Sequence, residues 1–582
     1  MKPNYIDLKT KTFRELLEDS VRRCPDRKVW VGLSSGKEYT YKEAYETIGR
    51  LKKSFFEKLG LQKGDKVALW AENMPQWGIA YFAITSAGLV AVPILPDFSP
   101  AELDNILTHS ESKALLVSRK LLSKLKEVKN KPNDIILLEE FVRFKDKDNL
   151  DVNLTEPFLA DKPISPDQEP EVNEDDLAVI IYTSGTTGKS KGVMHSHRGI
   201  VYNALDVQYV QWVNPGDKFL SILPLAHTYE NTIGFLAPFL ACATVYYLEK
   251  PPTASILLPA LQKVQPTFML SVPLIIEKIY RKNILPAIQS KKLTAGLYKT
   301  SVGRKILNRI AGKKLKKLFG GHIKFFGIGG AKLDPEVEKF LREAGFPYAV
   351  GYGLTETAPL LAGSNPKKQR YQSTGPAIRS VELKIKDPDP ETGEGEIIAR
   401  GPNIMLGYYK EPDLTKEVFT EDGWFRTGDL GVFDKDGFLY IRGRLKNMIL
   451  GPSGENIYPE EIEAIINSFD DVNESLVIEQ EGKLVALVHV DCDNVQKKAQ
   501  NWLAQQWQKA KDFSGDQAEK MKQTTDAVAE YLRHLEKQLK DFVNSRVSKS
   551  ARIHKVEFQR EPFVKTPTKK IKRFLYTKKK KQ

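Results

Sequence analysis

Residues 182–192 read YTSGTTGKSKG, a stretch crowded with glycines and hydroxyls and carrying two lysines. The run AVIIYTSG (178–185) leads into it, and apolar, β-branched residues in that order read as a buried strand that opens into a loop. Such a loop offers backbone N–H groups, hydroxyls and an ammonium to phosphate oxygens. The familiar pattern G-x-x-x-x-G-K-[ST] would end at Gly188-Lys189-Ser190 and needs glycine at position 183, where the chain has Thr183. The loop misses that pattern by one residue, so the rest of the chain has to identify it.

Outward from the loop, about the first 440 residues alternate helical and strand patterns. KTFRELLEDSVRRC (11–24) is helical, KVALWAEN (66–73) is strand then turn, and QWGIAYFAITSAG (76–88) is helical. TFMLSVP, IKFFGIGG and AVGYGLTET each read as a strand ending in a turn. Strands alternating with helices predict layered α/β subdomains with sites at strand C-termini. After about residue 380, DPDP, TGEG and DKDG turns separate short alternating strands, the texture of a small β unit. A small α+β domain follows, with a boundary near 443–450. Within a helical insert at about 494–549, Val528, Leu532, Leu535, Leu539, Phe542 and Val547 form an apolar stripe.

Length and composition frame this reading. At 582 residues the chain has room for roughly two to four domains. Its 41% hydrophobic and 28% charged residues are those of a soluble globular protein. Cys24, Cys242 and Cys492 lie far apart with no CxxC, which predicts a reducing compartment and no disulfide framework. The start has no apolar signal region, and the stretches 81–95 and 233–248 are short and contain proline, so they read as core rather than membrane spans. The formal charge is +14, with basic residues clustered at 304–324 and 569–582. That excess suits polyphosphate, acidic proteins or anionic lipid; no reader motif for nucleic acid accompanies it. His195 and His197 lack a third ligand in their neighbourhood, which argues against a metal pair.

Four further stretches stand beside the loop: LPLAHTYE (223–230), GIGGAKL (327–333), VGYGLTET (350–357) and WFRTGDLG (424–431), the last followed by YIRGRLKNMI (440–449). Together they resemble the ordered signature of the adenylate-forming (AMP-binding) superfamily, from about residue 11 to 576. The resemblance implies a large N-terminal ATP- and acid-binding domain (1–445) and a small mobile C-terminal domain (446–582).

It also implies roles for single residues. Thr183, Ser184, Gly185, Thr186, Thr187, Gly188 and Lys191 would hold the β- and γ-phosphates of ATP. Gly329, Gly330 and Ala331 would let a purine lie against the backbone, with Gly351, Tyr352 and Gly353 beside it. Thr355 would donate to the α-phosphate, and Glu356, with Ser184 as second protein ligand, would hold Mg²⁺. Asp429 and Arg444 would reach the ribose, and His227 would line the carboxylate pocket. KTPTKKIKRFLY resembles the family's C-terminal element and places the catalytic lysine at Lys570, with Lys569 next to it as the alternative. Lys446 matches the family's pivot between the two half-reactions.

The implied reaction converts a carboxylate into an acyl-adenylate and passes the acyl group to coenzyme A. SVPLIIEKIYRKN (271–283) and the C-terminal wording are similar to long-chain fatty acid–CoA ligases, although Leu274 stands where those carry arginine. A medium- or long-chain fatty acid is therefore expected. An acyl-carrier protein as acceptor, or an aryl or short-chain acid as substrate, stays open. The expected location is cytoplasmic, with the basic helices available to an anionic membrane surface.

Overall fold

The computed structural model describes residues 5–184, 190–450, 456–469, 471–480, 482–490, 495–496, 498–502, 524–566 and 570–577. Contacts gather these into two units. The first holds residues 5–184, 190–427 and 432–440; the second holds 428–431 and the residues from 441 onward.

The first unit is built on two large sheets. One has nine strands, in the order Gly407–Tyr408, Ser190–Ser196, Leu177–Ser184, Val90–Ile94, Lys66–Trp70, Ala114–Val117, Asp134–Leu137, Val142–Phe144 and Thr155–Pro157. Its centre is parallel and both its flanks are antiparallel. The other has seven strands, in the order Tyr348–Val350, Phe325–Ile328, Phe268–Ser271, Lys218–Ser221, Thr244–Tyr247, Lys28–Gly32 and Glu38–Thr40. All but the last pairing are parallel. Parallel neighbours need crossovers, which the intervening helices supply. This is the mixed α/β architecture that the alternating sequence pattern predicts.

The helix Pro75–Ser86 is buried at every residue, as an all-round apolar sequence requires. Its Phe82 packs among Trp30, Phe235 and Phe239, with Trp30 5.6 Å from Phe235 and Phe82 4.5 Å from Phe239 between ring centres. The two apolar stretches 81–95 and 233–248 are thus built into buried cores, for the most part into this one. No described helix is long and apolar enough to cross a membrane.

The cysteine expectation is corrected here. Cys24 and Cys242 are joined in a disulfide across 218 positions, both buried. Sequence separation says nothing of which turn a helix end meets: the helix Phe13–Arg23 ends beside the turn that follows Ala237–Leu240. Cys492 lies outside the described residues.

In the second unit, Val472–Gln480 pairs antiparallel with Lys483–Val490, which pairs parallel with Lys555–Gln559. The helices Pro459–Ile466 and Thr524–Asn544 belong to the same unit. Leu535 and Leu539 of the expected stripe are buried, and Val528, Leu532, Phe542 and Val547 pack against the same cluster. Residues 503–523 of the insert lie outside the described residues.

Candidate functional site

The hairpin of Leu177–Ser184 and Ser190–Ser196 pairs Lys191 with Thr183. The Ser184 side chain and residues 185–189, hence Gly185, Thr186, Thr187 and Gly188, lie outside the described residues. The strand Gly407–Tyr408 joins the outer edge of the hairpin, with Val193 opposite Tyr408. That register puts the Tyr408 ring 5.2 Å from the Lys191 ammonium. The Tyr408 hydroxyl in turn donates to Glu356 Oε1 at 2.9 Å. Cation, phenol and half-buried carboxylate therefore share one surface, although they come from three separate parts of the chain.

Thr355 and Glu356 stand on a short 3₁₀ turn, Thr355–Thr357. His195, on the hairpin, donates from Nε2 to the Thr355 carbonyl at 2.7 Å. The Met405 N–H donates to the Glu356 carbonyl at 2.9 Å. Burial holds the His195 ring at a pKa of about 4, so it is neutral and serves as a fixed donor. His197 is pushed down to about 3 by burial, and its Nδ1 accepts from the Phe13 N–H at 3.3 Å. Both histidines thus hold backbone, and no group of three potential metal ligands exists among the described residues.

Next to this turn lies a ledge of half-exposed residues, 351–356, that includes Gly351, Tyr352 and Gly353. A side chain at 353 would put Cβ 1.7 Å from the Pro359 carbonyl oxygen, so only glycine permits this close approach. The Gly351 N–H donates to the Ile328 carbonyl, which sets the ledge beside the Gly329-Gly330-Ala331 turn. Gly329 is buried, whereas Gly330 and Ala331 are exposed. Tyr229 lies against Gly327 and Gly329, where a Cβ would come within 3.0 and 3.1 Å of it. His227 is half-buried and accepts at Nδ1 from the Tyr229 N–H at 3.2 Å. Thr232 closes the group by donating to the Ala358 carbonyl at 2.9 Å.

An apolar slot borders this ledge, lined by Val207, Val210, Tyr229, Ile233, Phe268 and Gly351 among others. Phe219, Phe268 and Phe325 occupy matched positions on three adjacent strands and also line it. Their rings follow one another at 4.7 and 5.6 Å. Glu230, next to Tyr229, is buried, and its carboxyl is pushed up to about 8 by that burial. No sequence motif assigns a role to Tyr229, Glu230 or Tyr408. An aromatic-acid pair two positions after His227 is the one local signal for the first two.

The remaining candidates sit in the second unit. Asp429 is buried and takes Arg444 Nε at 2.7 Å, so the two expected ribose contacts are already partners. Lys446 is exposed on the 3₁₀ turn Leu445–Asn447. Lys570 is exposed in a loop closed by mutual bonds with Thr566: its N–H donates to Thr566 Oγ1 at 3.1 Å, and its carbonyl accepts from the Thr566 N–H at 2.8 Å. Arg573 anchors that loop by pairing with the half-buried Glu463 and donating to the Val477 carbonyl at 3.2 Å. Lys569 lies outside the described residues.

The AMP-binding enzyme family pattern matches residues 17–409. The chain belongs to that family. It is 30% identical over 491 residues to a long-chain-fatty-acid–CoA ligase of Salmonella typhimurium, covering 79% of this chain and 81% of the relative. It is 28% identical over 496 residues to 4-coumarate–CoA ligase 1 of Petroselinum crispum, covering 82% of each. An ATP-bound MatB from Rhodopseudomonas palustris shares the fold at a TM-score of 0.70, with 24% identity and 97% of this chain covered. This AMP-binding enzyme is accordingly an adenylate-forming acid–CoA ligase.

The buried histidines give this ligase a specific acid sensitivity. Folding lowers the His195 pKa from 6.5 to about 4, so its contribution to stability is complete above pH 6.5 and is lost as pH falls through about 4. Stability measured by urea unfolding should fall between pH 7 and pH 4.5, with His195 accounting for about 2 kcal/mol of the drop. His195→Gln keeps a donor for Thr355 and should flatten the profile by that amount. An unchanged slope in the variant would contradict the role given to this ring.

Proposed function

We propose that the enzyme activates a medium- or long-chain fatty acid as its acyl-adenylate and transfers the acyl group to coenzyme A. The observation that carries the substrate class is the apolar slot beside the Gly327–Tyr229 contact and the 351–356 ledge. A carboxylate at the ledge would leave its hydrocarbon in the slot and its oxygens near Thr355, Glu356 and Lys191. The cavity volume of the slot is about 40 Å³, room for roughly three waters at the ~10–15 Å³ that each requires. A chain therefore enters as lining side chains turn aside, and the Phe219, Phe268 and Phe325 row limits its length. The same narrowness favours a second reading, an aryl or short-chain acid.

A carboxylate oxygen attacks the α-phosphorus of ATP, the bond to pyrophosphate breaks, and an acyl-AMP forms. A thiolate then attacks the acyl carbon, AMP leaves, and a thioester results. Lys191, with the loop 183–188, would hold the departing pyrophosphate. Tyr352 and the Gly329-Gly330-Ala331 turn would take the adenine, Thr355 the α-phosphate, and Asp429 with Arg444 the ribose. His227 would face the substrate carboxylate. Lys570 would meet the negative charge that gathers between carboxylate and α-phosphate.

Glu356 suits Mg²⁺: it is a single half-buried carboxylate, already oriented by Tyr408, and nucleotide oxygens and water would complete the shell. There the ion would supply charge neutralisation on the phosphates, with Ser184 as a second protein ligand. Lys446 would be the pivot that alternates the two half-reactions. Coenzyme A is the proposed acceptor; an acidic acyl-carrier protein is the alternative that the +14 charge admits.

Pyrophosphate exchange measured across a panel of acids tests the substrate. Exchange should rise with fatty acids, and Phe268→Ala should move the optimum to longer chains. Exchange supported by aryl acids alone, with fatty acids inert, would sink the fatty-acid reading.

Lys570→Ala should slow adenylate formation on the order of a hundredfold. Thioester formation from supplied acyl-AMP should survive in that variant. Equal loss in both steps would argue against this assignment.

A further inference from the structure

Between Glu277 and Asp334 the chain contains fifteen Lys and Arg and no Asp or Glu. The remaining 73 basic residues nearly cancel all 74 acidic ones, so this one segment carries the net charge of the enzyme. Within it, the helix Ser301–Leu318 turns Gly303, Asn308, Gly312 and Leu315 inward. Gly312 lies so close to the helix Pro335–Ala344 that a Cβ would come 2.2 Å from the Ala344 carbonyl oxygen. That face is fully committed to packing.

The outward face is unusual for a surface helix. Val302, Ile306 and Ile310 recur every fourth residue and are 67%, 51% and 50% exposed. Lys305, Arg309 and Lys313 interleave with them at the same spacing and are exposed as well. Leu293, 84% exposed, and Leu297 extend the apolar series on the preceding helix, Lys292–Tyr298. Arg304 points elsewhere and pairs with Glu343 at 3.0 Å. Among the described residues, no carboxylate forms an ion pair with Lys305, Arg309 or Lys313.

We propose that the outer face of these two helices docks on an anionic phospholipid surface. Leu293, Val302, Ile306 and Ile310 enter the headgroup layer, while Lys305, Arg309 and Lys313 meet lipid phosphates. The pattern decides between lipid and protein. Protein interfaces keep charge out of their centre and gather apolar residues there. Here cations and aliphatic side chains alternate at one-turn spacing along a convex helix, as in helices that lie in a membrane interface. The proposal stands apart from the choice of acid, because its readout requires no turnover.

Co-sedimentation of the full-length enzyme with vesicles tests it. Vesicles of phosphatidylcholine with phosphatidylglycerol should bind at least about tenfold more tightly than phosphatidylcholine alone. Raising salt to roughly 0.5 M should reduce that preference severely, since screening then acts within a few Å. The triple variant Lys305→Glu/Arg309→Glu/Lys313→Glu and the pair Ile306→Ser/Ile310→Ser should each weaken binding at least about tenfold. Melting temperatures near that of the parent confirm that both variants fold. If one does not fold, the parent's discrimination between the two vesicle types still decides. Equal binding to both vesicle types, or unaltered binding of either folded variant, overturns the proposal. So does binding of an acidic acyl-carrier protein that the triple variant loses while vesicle binding persists.

Discussion

The hydrogen bond from His195 to the Thr355 carbonyl is the constraint on which the rest of the candidate site hangs. It joins the hairpin of the phosphate-type loop to the turn that carries Thr355 and Glu356, two elements separated by 160 positions. Because the ring is buried and neutral, this bond exists in one tautomer only and has no water to compete with it. With the turn fixed, Tyr408 can bridge Glu356 and Lys191. A carboxylate and an ammonium are then held apart by a phenol, so neither is consumed in a direct ion pair with the other. Such an arrangement suits a site that must receive a polyanion and a cation together.

Around that junction the fold supplies two surfaces of opposite character. The glycines at 327 and 329 let Tyr229 lie against the backbone, and those at 351 and 353 let the ledge approach Leu360 and Pro359 closely. Behind the ledge, aliphatic residues and three registered phenylalanines make a slot with almost no polar lining. A polar ledge against an apolar slot is what an amphiphilic acid requires. The exposed helices Lys292–Tyr298 and Ser301–Leu318 present the same pairing of charge and hydrocarbon on the outside of the first unit.

Much of this was legible in the sequence, for reasons of locality. A strand that ends in a glycine turn, repeated along the chain, announces parallel α/β layers. The ordered motifs then name Lys191, Glu356, Asp429 and Arg444, and the structure places the last two within 2.7 Å of each other. What escaped depends on distant chain meeting distant chain. Tyr408 matters because its strand joins the hairpin edge, and GYY by itself carries no sign of that. The separation of 218 positions hides the pairing of Cys24 with Cys242, yet a helix end and a turn bring them together. The +14 charge was visible, but only burial along the helix Ser301–Leu318 shows that aliphatic residues accompany it outward.

The central claim is that a carboxylate attacks the α-phosphorus of ATP. Fatty acid labelled with ¹⁸O in its carboxylate, incubated with enzyme, ATP, Mg²⁺ and coenzyme A, follows that atom directly. The account predicts one ¹⁸O in the AMP released and none in pyrophosphate. Label in pyrophosphate or inorganic phosphate, or release of ADP, would contradict it.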